Sequence, residues 1–144
     1  MKLLLLLSSV STVFNTGLIW TIQLLHYPGF LKVGSSHHQD YHQFHMNAIT
    51  PLVGISMTIE LFSSLSLLFF LNEVPSKPMY WLGVLLLIAI WLHTALIAVP
   101  LHSQLSQHFE LEIAQKLIDT NWWRTFFWSL RTAIFGYLLF KLLP

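Results

Sequence analysis

Eight histidines and no cysteine stand in a chain of 144 residues. All but His93 lie at or beyond the ends of long apolar runs. Within Tyr41-His42-Gln43-Phe44-His45 the two imidazoles are three residues apart, which places them on one face of a helix. His26 closes the first apolar run, and His102 follows Pro100 at the end of the third. Three segments thus carry imidazoles toward a single end of the molecule. Neutral imidazole ligates zinc, copper and iron, haem iron included. Without cysteine, a metal site here has only histidine and carboxylate ligands to draw on. The expected ligand set is His26, His42, His45 and His102, holding an iron, copper or zinc ion or a haem. The competing reading is that these imidazoles hydrogen-bond backbone groups or lipid headgroups. His37 and His38, beside Ser35 and Ser36, read as loop residues outside the set.

A second group of residues is buried within the apolar runs themselves. Glu60 lies about 15 Å inside the second run and Arg131 about 13 Å inside the fourth, at 1.5 Å per helical residue. His93 and Asn15 reach similar depths in the third and first. A lone charge at such depth costs roughly 2.5–3.5 kcal/mol on insertion scales. Glu60 and Arg131 are therefore expected to meet inside the molecule, with His93 or Asn15 completing the network. As chemistry the pair suits a proton relay or the orientation of a polar substrate group, and Glu60 and Arg131 are the expected catalytic residues. As architecture it suits a clamp between two helices. Ser8, Thr12, Asn15 and Gln23 in the first run, and Ser56, Glu60 and Ser63 in the second, extend an inward polar stripe. Near the start of the fourth run, Asn121 and Arg124 sit among Trp122, Trp123 and Trp128. With His93 they are the expected contacts to a cofactor or polar headgroup. The alternatives are an aromatic belt with a snorkelling arginine, and Asn121 as a helix cap.

The elements that must position these groups are four apolar runs, about 3–25, 50–71, 80–100 and 122–143, each long enough to cross a hydrocarbon core of roughly 20 residues. The first reads as a retained helix rather than a cleaved signal peptide, because no small-x-small site follows it. Thr50 and Pro51 supply a start signal for the second, as N-cap and first helical residue. Leu101, Leu105, Phe109, Ile113 and Leu117 recur every fourth residue between the third and fourth runs. That spacing predicts a short amphipathic helix lying on the membrane or capping the bundle. His42 and Glu60 share an azimuth if the second helix runs back through Pro51. Short links imply antiparallel neighbours. The expected fold is all-α: an integral membrane, up-down four-helix bundle, forming one transmembrane domain over residues 1–144.

Composition supports that class. Hydrophobic residues make up 55% of the chain and charged ones 9%, against about a quarter charged in soluble domains. The missing thiols exclude disulfides and cysteine-ligated clusters. A net charge of +1 offers no case for nucleic acid. Lysine and arginine are balanced between the two ends, with Lys2, Lys77 and Lys141 opposite Lys32, Lys116 and Arg124. The end holding the termini is read as cytoplasmic, in a bacterial inner membrane.

The series His26-Tyr27-Pro28-x-Phe30, Tyr41-His42-x-x-His45, Met57-x-x-Glu60, Val99-Pro100-Leu101-His102 and Asn121-Trp122-x-Arg124-Thr125-x-x-Trp128-x-x-Arg131 resembles a family of bacterial four-helix integral membrane proteins without assigned activity. More distantly the chain is similar to anthrone-oxygenase-like membrane proteins, through size, layout and a proline-centred motif after helix three. It departs from them in carrying His102 where an asparagine is common. The distant resemblance implies an oxygenase acting on a lipophilic substrate.

Three readings follow. The first is a metal- or haem-dependent redox protein or oxygenase acting on a lipophilic small molecule. The second is a non-catalytic accessory subunit, in a homo-oligomer or a larger membrane complex. The third, a proton or solute carrier, lacks the Gly/Pro helix interruptions such proteins use. An enzyme requires a pocket joining the histidines to Glu60, whereas a subunit is packed solid there.

Overall fold

The computed structural model describes residues 1–34 and 36–142, which form helices and turns with no strand among them. Four long helices make up the molecule: α1, Lys2–Phe30; α2, His38–Phe70; α3, Lys77–Gln107; and α4, Leu111–Phe140. Cross-helix bonds fix their directions. Ser8 meets Ser64, and Thr12 meets Glu60, so α1 and α2 are antiparallel. Thr16 meets Thr132, and Trp20 meets Ser129, which sets α4 antiparallel to α1. Tyr80 reaches the carbonyl of Ser64 and His42 reaches His102, which does the same for α2 and α3.

α1 packs along both α2 and α4, and α4 packs along α3. α2 and α3 are consecutive in the chain, yet they touch chiefly through the 99–107 end of α3 and separate along much of the rest. This is the open side of the bundle. α1, α2 and α3 are long and apolar enough to cross a membrane. α4 has the length but not that apolarity, because Asn121, Arg124, Thr125, Arg131 and other polar residues interrupt its run. Of the four runs expected to cross a hydrocarbon core, three are thus long and apolar enough to do so.

The boundaries differ from the expected ones for physical reasons. α2 begins at His38 and carries Pro51 inside it, so Thr50 caps nothing. An interior proline loses one helical hydrogen bond, and packing of His42 and His45 on one side of it and Glu60 on the other retains the helix. The amphipathic stretch is no separate helix either. It breaks at His108 and Glu110, both in extended conformation. Leu101 and Leu105 finish α3, while Ala114 and Leu117 begin α4, and all four are buried. The four-residue spacing marked a face turned into the bundle.

α1 and α3 each contain one π-helical turn, at Ile22–His26 and at Thr94–Ala98. Each is followed within two residues by a proline, Pro28 and Pro100. A proline ring clashes with the carbonyl four residues earlier, here Leu24 and Leu96, and a widened turn relieves that clash. Both π turns adjoin the same cavity, described below.

Candidate functional site

Polar side chains are gathered in three tiers along the bundle. The first separates two apolar clusters, one around Leu5, Leu67, Tyr80 and Phe135 and the other around Ile19, Met57, Ile90 and Trp128. At its centre Arg131 Nε donates to Glu60 Oε1 at 2.8 Å, with both side chains 0% exposed. Thr12 Oγ1 donates to the same oxygen at 2.7 Å. Asn15 Nδ2 and Trp128 Nε1 donate to Glu60 Oε2 at 2.8 and 3.1 Å. Four donors thus surround one carboxylate. The guanidinium is equally occupied, donating to Ser64 Oγ at 2.5 Å and to the Gly83 carbonyl. Its carbon lies 4.2 Å from the centre of the Phe135 ring.

Glu60 and Arg131 therefore meet, and Asn15 completes the network. His93 does not: neither of its nitrogens has a hydrogen-bond partner. The contribution of α3 is instead a backbone carbonyl. A Cβ on Gly83 would stand 2.7 Å from Phe135 Cε2, so glycine is needed for this approach. Residue type gives no direct signal for a backbone acceptor, and a glycine amid the apolar residues of α3 was the available clue.

The second tier is smaller. Asn121 Nδ2 donates to Gln23 Oε1 at 2.7 Å, and Gln23 Nε2 donates to the Ile118 carbonyl at 3.2 Å. Asn121 is buried well inside α4 and caps no helix. Arg124 Nη1 donates to Asn121 Oδ1 at 3.2 Å, and the Arg124 guanidinium lies 5.2 Å from the Trp128 ring centre. Arg124 is 3% exposed, and its Nε has no partner. It is therefore no snorkelling arginine.

The third tier is the histidine cluster. Tyr27 Oη lies 2.9 Å from His102 Nε2, and His102 Nδ1 lies 3.0 Å from His42 Nε2. Ser106 Oγ lies 3.3 Å from His42 Nδ1 and 2.9 Å from the His102 carbonyl. One tautomer set satisfies every link: Tyr27 donates to His102, His102 to His42, His42 to Ser106, and Ser106 to the carbonyl. Around this chain, His45 stacks on His102 with ring centres 5.8 Å apart, and His26 lies 5.5 Å from His45. Phe30 fills the space between His38, His42, His45 and His102. His38 belongs to this cluster: it is buried and stacked on His42. It is not a loop residue like His37. His108 stands apart, paired with Glu110 on the surface.

The four expected ligands His26, His42, His45 and His102 are thus brought together, but as a stacked and hydrogen-bonded array. Both nitrogens of His102 are engaged, and among the described residues no carboxylate joins the cluster. Among the described residues, no three histidine, aspartate or glutamate side chains form a set that could hold a metal. Ligation here requires the imidazoles of His42 and His102 to leave their present bonds.

Beneath the histidines, between α2 and α3, lies a cavity of about 210 Å³. Its polar lining includes Tyr27, His102 and Arg124, and its apolar lining includes Val53, Met57 and Trp91. It joins the third tier to the second and stops short of the first: Met57 lines it, but Glu60 does not. No family model matches the chain, nor does any curated protein or solved structure.

Proposed function

We propose that this is a small integral membrane protein that takes a lipophilic substrate into the cleft between α2 and α3. Its reaction is of redox or oxygenase type, with protons carried by the histidine chain. Membrane insertion is supported by the apolarity of α1, α2 and α3. It is also supported by exposed large side chains such as Phe62, Leu85, Leu96 and Phe126 on the outer surface. A bilayer, unlike water, makes such an exterior favourable.

The observation that carries the functional reading is the pairing of cavity and chain. Tyr27 and His102 line the cavity, and from them hydrogen bonds lead through His42 to the partly exposed Ser106. A hydrogen-bonded chain of this kind lets a proton leave or reach a substrate by successive short transfers, each imidazole accepting at one nitrogen and releasing at the other. The Glu60–Arg131 pair acts as the clamp that sets the helices in register, since every polar atom of the carboxylate is already engaged.

The test is to purify the full chain in mild detergent and combine three measurements: an absorption spectrum, elemental analysis for iron, copper and zinc, and mass spectrometry of the solvent-extracted lipophiles. A Soret band, near-stoichiometric metal lost in a His42→Ala/His45→Ala variant, or a tightly held redox-active lipophile supports the proposal. A folded protein with none of these, also after reconstitution, rejects it. The accessory-subunit reading then leads, and co-purifying membrane partners are its test.

A further inference from the structure

Two arginines are buried in this bundle, and only one has a counter-charge. Arg131 is paired with Glu60. Arg124 is 3% exposed, and among the described residues no carboxylate lies within ion-pair distance of it. Its surroundings offer neutral groups, the Asn121 amide oxygen, the Tyr27 hydroxyl and the Trp128 ring. Neutral dipoles and a ring quadrupole compensate a buried cation weakly, and an unmatched charge in an apolar interior is strongly disfavoured. The unengaged Nε is one arm of the planar Nε–Nη fork that grips oxyanions in two parallel bonds. This guanidinium lines the α2–α3 cavity beside Tyr27 and His102.

We infer that the cavity binds the anionic head of a long-chain amphiphile, a carboxylate or phosphate, with Arg124 as its counter-charge. This rests on reading the α2–α3 cleft as a ligand site. The cavity's 210 Å³ is below the roughly 300 Å³ at which drug-sized pockets begin. It accommodates a headgroup and the first carbons of a chain, not a whole lipid. The tail leaves between α2 and α3, where Gly54 and Val99 line the opening and are themselves exposed. An anion here also has a proton source nearby, because Tyr27 begins the histidine chain.

The experiment uses the full chain in mild detergent and native mass spectrometry, with oleate, methyl oleate and dioleoyl phosphatidic acid as probes. Oleate is expected to bind at least tenfold more tightly than its methyl ester, and Arg124→Gln is expected to abolish that preference. Arg124→Lys keeps the charge without the fork, so it should retain the preference with weaker binding; it also serves if the glutamine variant does not fold. Gly54→Leu is expected to block both ligands by filling the cavity, since a Cβ at Gly54 meets nothing within 4 Å. Phosphatidic acid binding above oleate assigns a lipid headgroup, and the reverse assigns a free acid. Equal binding of acid and ester by the unaltered protein, or a preference that survives in Arg124→Gln, overturns the anion assignment and leaves the cavity as a neutral-ligand site. If neither acid nor ester binds, the ligand-site reading falls with it.

Discussion

The bundle contains two buried guanidinium groups just under two helical turns apart on α4, and they occupy opposite kinds of environment. Arg131 sits in a closed tier, with a carboxylate, a hydroxyl, a carbonyl and an aromatic face all in contact. Arg124 sits beside a cavity with one amide oxygen, the Tyr27 hydroxyl and a free Nε. The same residue type on the same helix is a structural clamp in one place and an unsatisfied recognition group in the other. What separates them is what lies opposite: groups from α1, α2 and α3 all reach Arg131, whereas Arg124 faces the cavity between α2 and α3. Burial of a polar group does not by itself mark function; burial without full satisfaction is the more informative sign.

The sharpest way to break this contrast is to remove the carboxylate of the closed tier. Glu60→Leu leaves Arg131 buried without its counter-charge and is expected to destabilise the protein by about 3–5 kcal/mol, read as thermal unfolding in detergent. A loss under about 1 kcal/mol, within the range of an exposed ion pair, would mean the tier is no clamp. Gly83→Ala presses on the same tier from its backbone side. Its Cβ would meet Phe135 Cε2 at 2.7 Å, and overpacking of this kind costs about 1–3 kcal/mol. Unchanged unfolding would show that Phe135 moves aside freely.

In the open tier the expected effects are smaller. Tyr27→Phe removes the hydroxyl that bonds His102 and is expected to cost about 1 kcal/mol. Because it cuts the histidine chain at the cavity wall, it should impair turnover far more than stability once a substrate is in hand. Equal losses in both would reduce Tyr27 to a packing residue. Arg124→Gln gives the most telling comparison. It orphans no carboxylate, so the stability read from thermal unfolding is expected to fall by no more than about 2 kcal/mol, the scale of a desolvated cation–π contact. A loss as large as that of Glu60→Leu would erase the distinction between the two arginines.

Legibility in the sequence followed the range of the interaction. The Glu60–Arg131 pairing could be read because charges in long apolar runs need partners and few candidates existed. Asn15 joined them through depth alone. His93 misses the tier by depth, standing about 15 Å along the regular part of α3 from the Gly83 carbonyl that meets Arg131. The start signal at Thr50-Pro51 was locally sound and was overridden by packing of the turns before it. Asn121 and Arg124 were recognisable as candidates, but belt, cap and binding site are alike in sequence and differ only in what lies across from α4.

The sequence by itself determined four helices, their apolar exteriors, the need for a buried ion pair and the gathering of imidazoles at one end. These follow from periodicity, composition and the cost of isolated charge, all of which are local or pairwise. Only the tertiary structure decided that the histidines form a bonded chain rather than a ligand cage, that His38 belongs to it, and that a cavity stops at Arg124 and never reaches Glu60. Those outcomes depend on how far two helices separate and on how each is rotated. Helix rotation and separation are set by all the contacts of the bundle at once, and no single stretch of residues encodes them.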